Sequence, residues 1–194
     1  MAQMKYDLLL EKISAQVKLS EEEKAFFLSR IQYKKIKRKQ LYLQEGDVSR
    51  AITFVLSGCL KLYSIDRNGF EHILQFAPPG WWVGDMKSYI YQEPALLNID
   101  AIYDSELAII PKPELDDIYT RIPAFERFFR ILAENAIAAY QQRLINNLSL
   151  PAKDRYSTFC ELYPTLIMQL PQKMIASYIG VTPEFLSKML KQQA

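Results

Sequence analysis

The sequence predicts an α+β chain in three successive parts: an N-terminal antiparallel β-roll entered through short helices, one long helix, and a C-terminal helical domain. Three observations predict it. Residues 31–111 break into short alternating apolar runs, such as AITFVLSGCLKLYSI and FEHILQFA, separated by Gly, Asn and Pro. The stretch AFERFFRILAENAIAAYQQRLINNL follows Pro123 and carries a helical period with no strand pattern. The tail LPQKMIASYIGVTPEFLSKMLKQQA divides into two short helical patterns on either side of Gly180. The expected boundaries are 1–122, 123–148 and 149–194.

Residues 4–30 read as two short helices. KYDLLLEKISAQV has an apolar face, and Leu19-Ser20-Glu21-Glu22-Glu23 reads as a second start, with Ser20 as N-cap, Glu23 at N3 and acids in the first turn. Next comes KKIKRK at 34–39, five positive charges in six positions. Such a run is either a polyanion footprint or a strand with solvated lysines. Ile31, Tyr33, Ile36, Leu41 and Leu43 among the charges, and the Glu45-Gly46-Asp47 turn beyond them, favour a twisted strand that runs into a turn. Further on, Asp66-Arg67-Asn68-Gly69 is a hairpin signal, because Asn-Gly tolerates positive φ.

The long helix is apolar over a wide arc. One stripe is Phe125, Phe129, Leu132, Ala136 and Tyr140, and a neighbouring one is Ala133, Ile137, Tyr140, Leu144 and Leu148. An arc this wide needs cover on two sides, the β-module on one and a second helix on the other. Ala133, Ala136, Ala138 and Ala139 permit close approach, so a homodimer through this helix is expected, the alternative being a helix buried within one chain.

Composition narrows the function classes. With 49% hydrophobic residues and 24 basic against 22 acidic side chains in 194 residues, the chain reads as soluble and globular, and any polyanion site must come from local placement. Charges interrupt every apolar run of MAQMKYDLLLEKISAQ, and no later stretch has membrane-spanning length; a cytoplasmic protein with no membrane partner is expected. Cys59 and Cys160 read as isolated buried thiols. His72 is the only histidine, no Gly-rich phosphate loop or nucleophile elbow occurs, and Asp116-Asp117 in PKPELDD read as helix-start acids. An enzyme, a metal site and a cofactor are therefore not expected.

The tail has the mechanics of a helix-turn-helix. Pro171 opens a helix with Met174, Ile175, Ala176 and Ile179 on one face, and Gly180 stops it. Ala176 and Gly180 are expected to be small because the two helices cross steeply. Thr182 caps a second helix, Pro183 takes N1, and Phe185, Leu186, Met189 and Leu190 form the expected buried face. Thr182, Pro183, Glu184, Ser187, Lys188 and Lys191 are the candidate DNA-contacting residues. A carboxylate accepts from cytosine N4 and an ammonium donates to guanine O6 or N7, while the alternative for Glu184 and Lys188 is an ordinary i, i+4 salt pair on a solvated helix.

In this order, a β-roll, a long helix and a C-terminal helix-turn-helix resemble the Crp/Fnr family of bacterial transcription regulators. The resemblance rests on YLQEGD, on AITFVLSGCLKLY with its central Gly58, on WWVGDMKSYIYQEPALLNIDAIYDSELAIIP, and on QKMIASYIGVTPEFLSK. It implies a cyclic-nucleotide-binding-like roll and a double-stranded DNA operator as partner. The third segment resembles the family's phosphate-binding cassette, which makes Gly84, Asp85, Met86, Lys87, Ala95 and Leu96 the candidate effector pocket. Gly84-Asp85 stands for the family's Gly-Glu, and counting back from Ile99-Asp100-Ala101 puts Ala95 in the place of the phosphate-holding arginine. Cyclic AMP and cyclic GMP are therefore expected to bind weakly or not at all, unless Lys87 supplies the charge; another small-molecule effector is possible. No N-terminal cysteine cluster of an iron–sulfur sensor occurs. The sequence ends at Gln192-Gln193-Ala194, where family members usually continue, and the expectation is fewer phosphate contacts with a shallower salt dependence. A rival reading remains: a small-molecule or protein-interaction module that does not bind DNA, with Phe76, Trp81, Trp82 and Tyr89 lining an apolar pocket or simply forming core.

Overall fold

A computed structural model describes residues 3–192; Gln193 and Ala194, part of the expected chain end, lie outside the described residues. After a single 3-10 turn, Gln3–Tyr6, come α1 (Asp7–Ser14) and α2 (Glu21–Ser29). The capping box at the start of α2 forms as expected: Glu23 N–H donates to Ser20 Oγ at 3.2 Å and Ser20 N–H to Glu23 Oε2 at 2.7 Å. Six strands follow, β1 (Gln32–Ile36), β2 (Leu41–Leu43), β3 (Ala51–Ile65), β4 (Glu71–Ala77), β5 (Trp82–Val83) and β6 (Asn98–Pro111), with the short α3 (Met86–Tyr91) between the last two. Helices α4 (Lys112–Arg121), α5 (Ala124–Ser149), α6 (Ala152–Leu162), α7 (Gln172–Ile179) and α8 (Pro183–Lys191) complete the chain. The strands form one sheet in the order β1-β6-β3-β4, with β2 also on β6 and β5 on β3.

The chain divides into two compact units, Met1–Ser64 with Leu74–Leu132, and Ile65–Ile73 with Ala133–Ala194. Two apolar clusters hold the first unit. In one, Leu9, Ile13 and Phe27 of the N-terminal helices and Ile118 and Phe125 of α4 and α5 pack on Phe54 and Ile110 of the strands, with Phe27 stacked on Phe125 at 4.4 Å between ring centroids. Trp82 meets Phe54 and Phe129 edge-on at 5.1 and 5.2 Å in the same cluster, which Tyr89 also joins, so these two aromatic residues are core. In the other, Leu60, Leu62, Val83, Ala95, Ile99 and Leu107 fill the space between the strands.

The basic run departs from a continuous strand. β1 ends at Ile36, and Lys39 takes a left-handed backbone with φ +65°. Lys35 pairs with Glu106 at 2.8 Å and Lys37 with Asp104 at 2.9 Å, while Arg38 N–H donates to the other oxygen of Asp104. These bonds hold both carboxyls below their ordinary range and raise the Lys35 ammonium above its own. Two of the run's five charges, those of Lys35 and Lys37, are thus answered by acids of β6.

Gly58 sits in an irregular stretch of the β3–β6 register with φ +84°. A Cβ there would lie 2.7 Å from Ser105 Cα and closer still to Asp104 O and Ser105 Oγ. The main chains therefore meet where only glycine fits.

In the second unit the turn at Asp66–Gly69 closes with Gly69 N–H donating to Asp66 O at 2.9 Å, and only Gly69 carries positive φ. His72 Nε2 lies 3.0 Å from Asp66 Oδ2, an interaction that leads the lowering of the Asp66 carboxyl pKa. Ser177 of α7 reaches the hairpin backbone: its hydroxyl donates to Glu71 O at 2.6 Å and accepts from Ile73 N–H at 3.0 Å. The guanidinium of Arg143 in α5 donates to Ile73 O and Tyr178 O, both at 2.8 Å, and lies 3.9 Å from the Tyr178 ring centroid.

Urea denaturation checks the glycine assignment. Gly58→Ala is expected to lose more than about 3 kcal/mol, from left-handed backbone plus backbone displacement. Gly46→Ala, at φ +93° with nothing within 4 Å of the added methyl, is expected to lose only about 1–2 kcal/mol.

Candidate functional site

The C-terminal pair is built from α7, a turn and α8. Pro171 precedes the first residue of α7, whose Ile175, Ala176 and Ile179 are buried and whose Met174 is half-buried. Gly180 ends it in the left-handed region at φ +74° and ψ +43°, with its N–H and that of Val181 both donating to Ala176 O. Nothing lies within 4 Å of a Cβ added at Gly180, so its backbone conformation, and not the crowding expected from sequence, requires glycine there. Ala176 is fully buried. Thr182 caps α8 by accepting from Phe185 N–H at 3.2 Å, and Pro183 follows at N1.

Leu186 is the buried anchor of α8, with Met189 and Leu190 half-buried. Phe185 departs from the expected buried face: 52% of its surface is exposed. Thr182, Pro183, Glu184, Lys188 and Lys191 are exposed and Ser187 is half-buried. Pro183, Glu184, Ser187, Lys188 and Lys191 line one shallow, solvent-open concavity. Among the described residues the side chains of Glu184, Ser187, Lys188 and Lys191 take part in no ion pair or hydrogen bond, so the alternative Glu184–Lys188 salt pair is not formed. One helix face thus offers a carboxylate, a hydroxyl and two ammonium groups, all uncommitted among the described residues.

The cassette residues divide. Asp85 caps α3 and is 3% exposed; its Oδ1 accepts from Ser88 N–H and its Oδ2 from Leu96 N–H, both at 3.0 Å. Ala95 is buried in the apolar cluster of the roll, its N–H donating to Asp47 O and its carbonyl accepting from Gly46 N–H. Met86, Lys87 and Leu96 are exposed and Gly84 is half-buried. Of the other five candidate residues only Leu96 is bonded to the Asp85 carboxylate, and the six divide between buried and exposed positions. A buried cation is present in Lys61, whose Nζ is 3.5 Å from Asp100 and 4.0 Å from the Tyr63 ring centroid. Its strand neighbours Leu60 and Leu62 belong to the interior cluster, so by the alternation of a strand Lys61 faces the other way. Sequence reading did not single out Lys61, Ser177, Arg143 or the exposure of Phe185.

Burial pushes the Cys59 thiol up to about 12, which keeps it protonated and unreactive at neutral pH; Cys160 is half-buried. No group of three or more His, Cys, Asp or Glu side chains among the described residues has a metal-binding arrangement. No helix among them is long and apolar enough to cross a membrane.

Comparison with known proteins agrees with this construction. Residues 33–121 match the cyclic nucleotide-binding domain. The regulatory protein HlyX of Actinobacillus pleuropneumoniae is 26% identical over 190 residues, covering 89% of this chain and 76% of HlyX. The fumarate and nitrate reduction regulatory protein of Vibrio cholerae is 26% identical over 168 residues, covering 81% of this chain and 66% of that protein. Among solved structures, FixK2 from Bradyrhizobium japonicum has a TM-score of 0.70 at 16% identity, over 84% of this chain and 83% of FixK2, a likeness of fold. Residues 33–121 thus match a cyclic nucleotide-binding domain, and the chain is similar in sequence to these regulatory proteins and in fold to FixK2.

Proposed function

We propose that the chain is a DNA-binding transcription regulator whose α8 enters the major groove, with Thr182, Pro183, Glu184, Ser187, Lys188 and Lys191 at the nucleic acid. The observation that carries this reading is the uncommitted polar face of α8, held in place by the Gly180 turn and the Thr182 cap. A salt-paired surface helix satisfies its own charges; this face does not. In the proposed division, residues 1–122 form the sensor, 123–148 the dimerisation helix and 149–194 the DNA reader. Dimerisation is supported by Ile137, Leu144, Ile145 and Leu148, large apolar side chains exposed along the second half of α5. Two recognition helices then meet successive major grooves about 34 Å apart on a roughly palindromic operator. An effector of the roll acts by biasing the arrangement of the paired α5 helices.

The proposed effector of the roll is not a cyclic nucleotide, although the domain has the fold that binds them elsewhere. A buried phosphodiester needs a charge-assisted donor. At the arginine's place stands Ala95, packed among Leu62, Val83 and Ile99, and the Asp85 oxygens already hold two backbone amides. Lys87 is exposed and Lys61 is paired with Asp100.

Retention on mixed genomic DNA fragments tests the first proposal: the wild-type chain is expected to be retained, and the Glu184→Ala/Lys188→Ala variant to elute at clearly lower salt. Neutralising Lys34 and Lys37 in the basic run is expected to leave retention unchanged. Equal retention of wild type and the α8 variant would overturn the proposal. Thermal unfolding tests the second. Saturating a site at 100 times its Kd stabilises by about 2.7 kcal/mol, a shift of several degrees for a chain of this size. With millimolar cyclic AMP or cyclic GMP no shift is expected; a shift of several degrees would overturn it.

A further inference from the structure

We infer that Phe185 reads the C5-methyl group of a thymine beside the bases met by Glu184 and Lys188, an inference that rests on the proposal that α8 enters the major groove. Phe185 is the large aromatic residue of α8, and 52% of it is exposed. It takes no part in the ring cluster of Phe159, Tyr163 and Tyr178 that packs the same unit, and among the described residues its side chain has no ring partner. About half of this residue's apolar surface is left to water in the free chain, beside the charged Glu184.

Its placement gives the ring a use. The Phe185 N–H is tied to Thr182 Oγ1 at 3.2 Å, which fixes its Cα in the first turn of α8. Residue 185 follows Glu184 directly and precedes Lys188 by three, so its ring flanks the polar face. A helical Cα–Cβ bond tilts toward the N-terminus, so the side chain leans over the end of the helix that enters the groove first. The major-groove floor presents donors and acceptors at every base pair but only one apolar group, the thymine methyl. Phosphate, the other group within reach of a groove helix, is charged and hydrated and gives a phenyl ring no matching contact. Glu184, Ser187 and Lys188 then read polar base edges while Phe185 requires a methyl at the adjoining position.

The test starts from a duplex selected by the full chain out of a random library. The enriched site is expected to hold a fixed thymine in each half. Replacing it by uracil removes the methyl alone and is expected to weaken wild-type binding about fourfold, the contribution of one buried methyl-sized group. Phe185→Ala is expected to lose a comparable factor and to bind the thymine and uracil sites equally. A uracil penalty that is absent in the wild type, or equally large in Phe185→Ala, overturns the inference while leaving the DNA proposal standing. Selection that enriches no sequence overturns the DNA proposal itself. The uracil comparison with the wild-type chain stands even where the variant folds poorly, and an unchanged unfolding temperature of the variant shows that it folds.

Discussion

The left-handed backbone of Gly180 decides what the C-terminal helices present. At φ +74° it ends α7 and turns the chain into the Thr182 cap within three residues, which sets the rotation of α8 about its own axis. Leu186 faces inward as a consequence, and Glu184, Lys188 and Lys191 face outward. An L-residue at 180 would resist that conformation whatever the space around it, and the space there is open. The constraint is thus one of dihedral angle and not of packing. A change in that angle would redirect every side chain on the proposed reading face together.

The proposed lack of cyclic-nucleotide binding follows from how the roll spends the polar groups around α3. Asp85 serves as the cap of α3 and as the acceptor for Leu96 N–H. A carboxylate doing this ties the short helix to the segment that leads into β6. Ala95, next to Leu96 in the chain, lies in the apolar interior. The hairpin Ile65–Ile73 is engaged by Ser177 and Arg143, residues of α7 and α5. It therefore groups with the helical unit, although its strands β3 and β4 continue into the roll.

Features with local causes were legible in the sequence. The Ser20–Glu23 capping box, the Thr182-Pro183 helix start, the stop at Gly180 and the length of α5 each depend on a few consecutive residues, and each stands where the sequence put it. What could not be read depends on distant partners. The break after Ile36 is shaped by Asp104, far along the chain, and the role of Ser177 by two backbone groups of the hairpin. Phe185 misled for a related reason. Apolar character at the edge of a helical stripe suggests burial, and only the neighbouring elements show that about half of it stays uncovered. The two bonds that Asp85 accepts, from Ser88 N–H and Leu96 N–H, likewise could not be read from spacing alone.

The central claim is that α8 of each of two paired chains lies in the major groove of one DNA site. Hydroxyl-radical footprinting of the full chain on a duplex that it retains measures this most directly. The account predicts two protected patches related by two-fold symmetry, with centres about one helical turn, roughly 10 base pairs, apart on one face of the duplex. A single unsymmetrical patch, or protection spread evenly along the fragment, would contradict it.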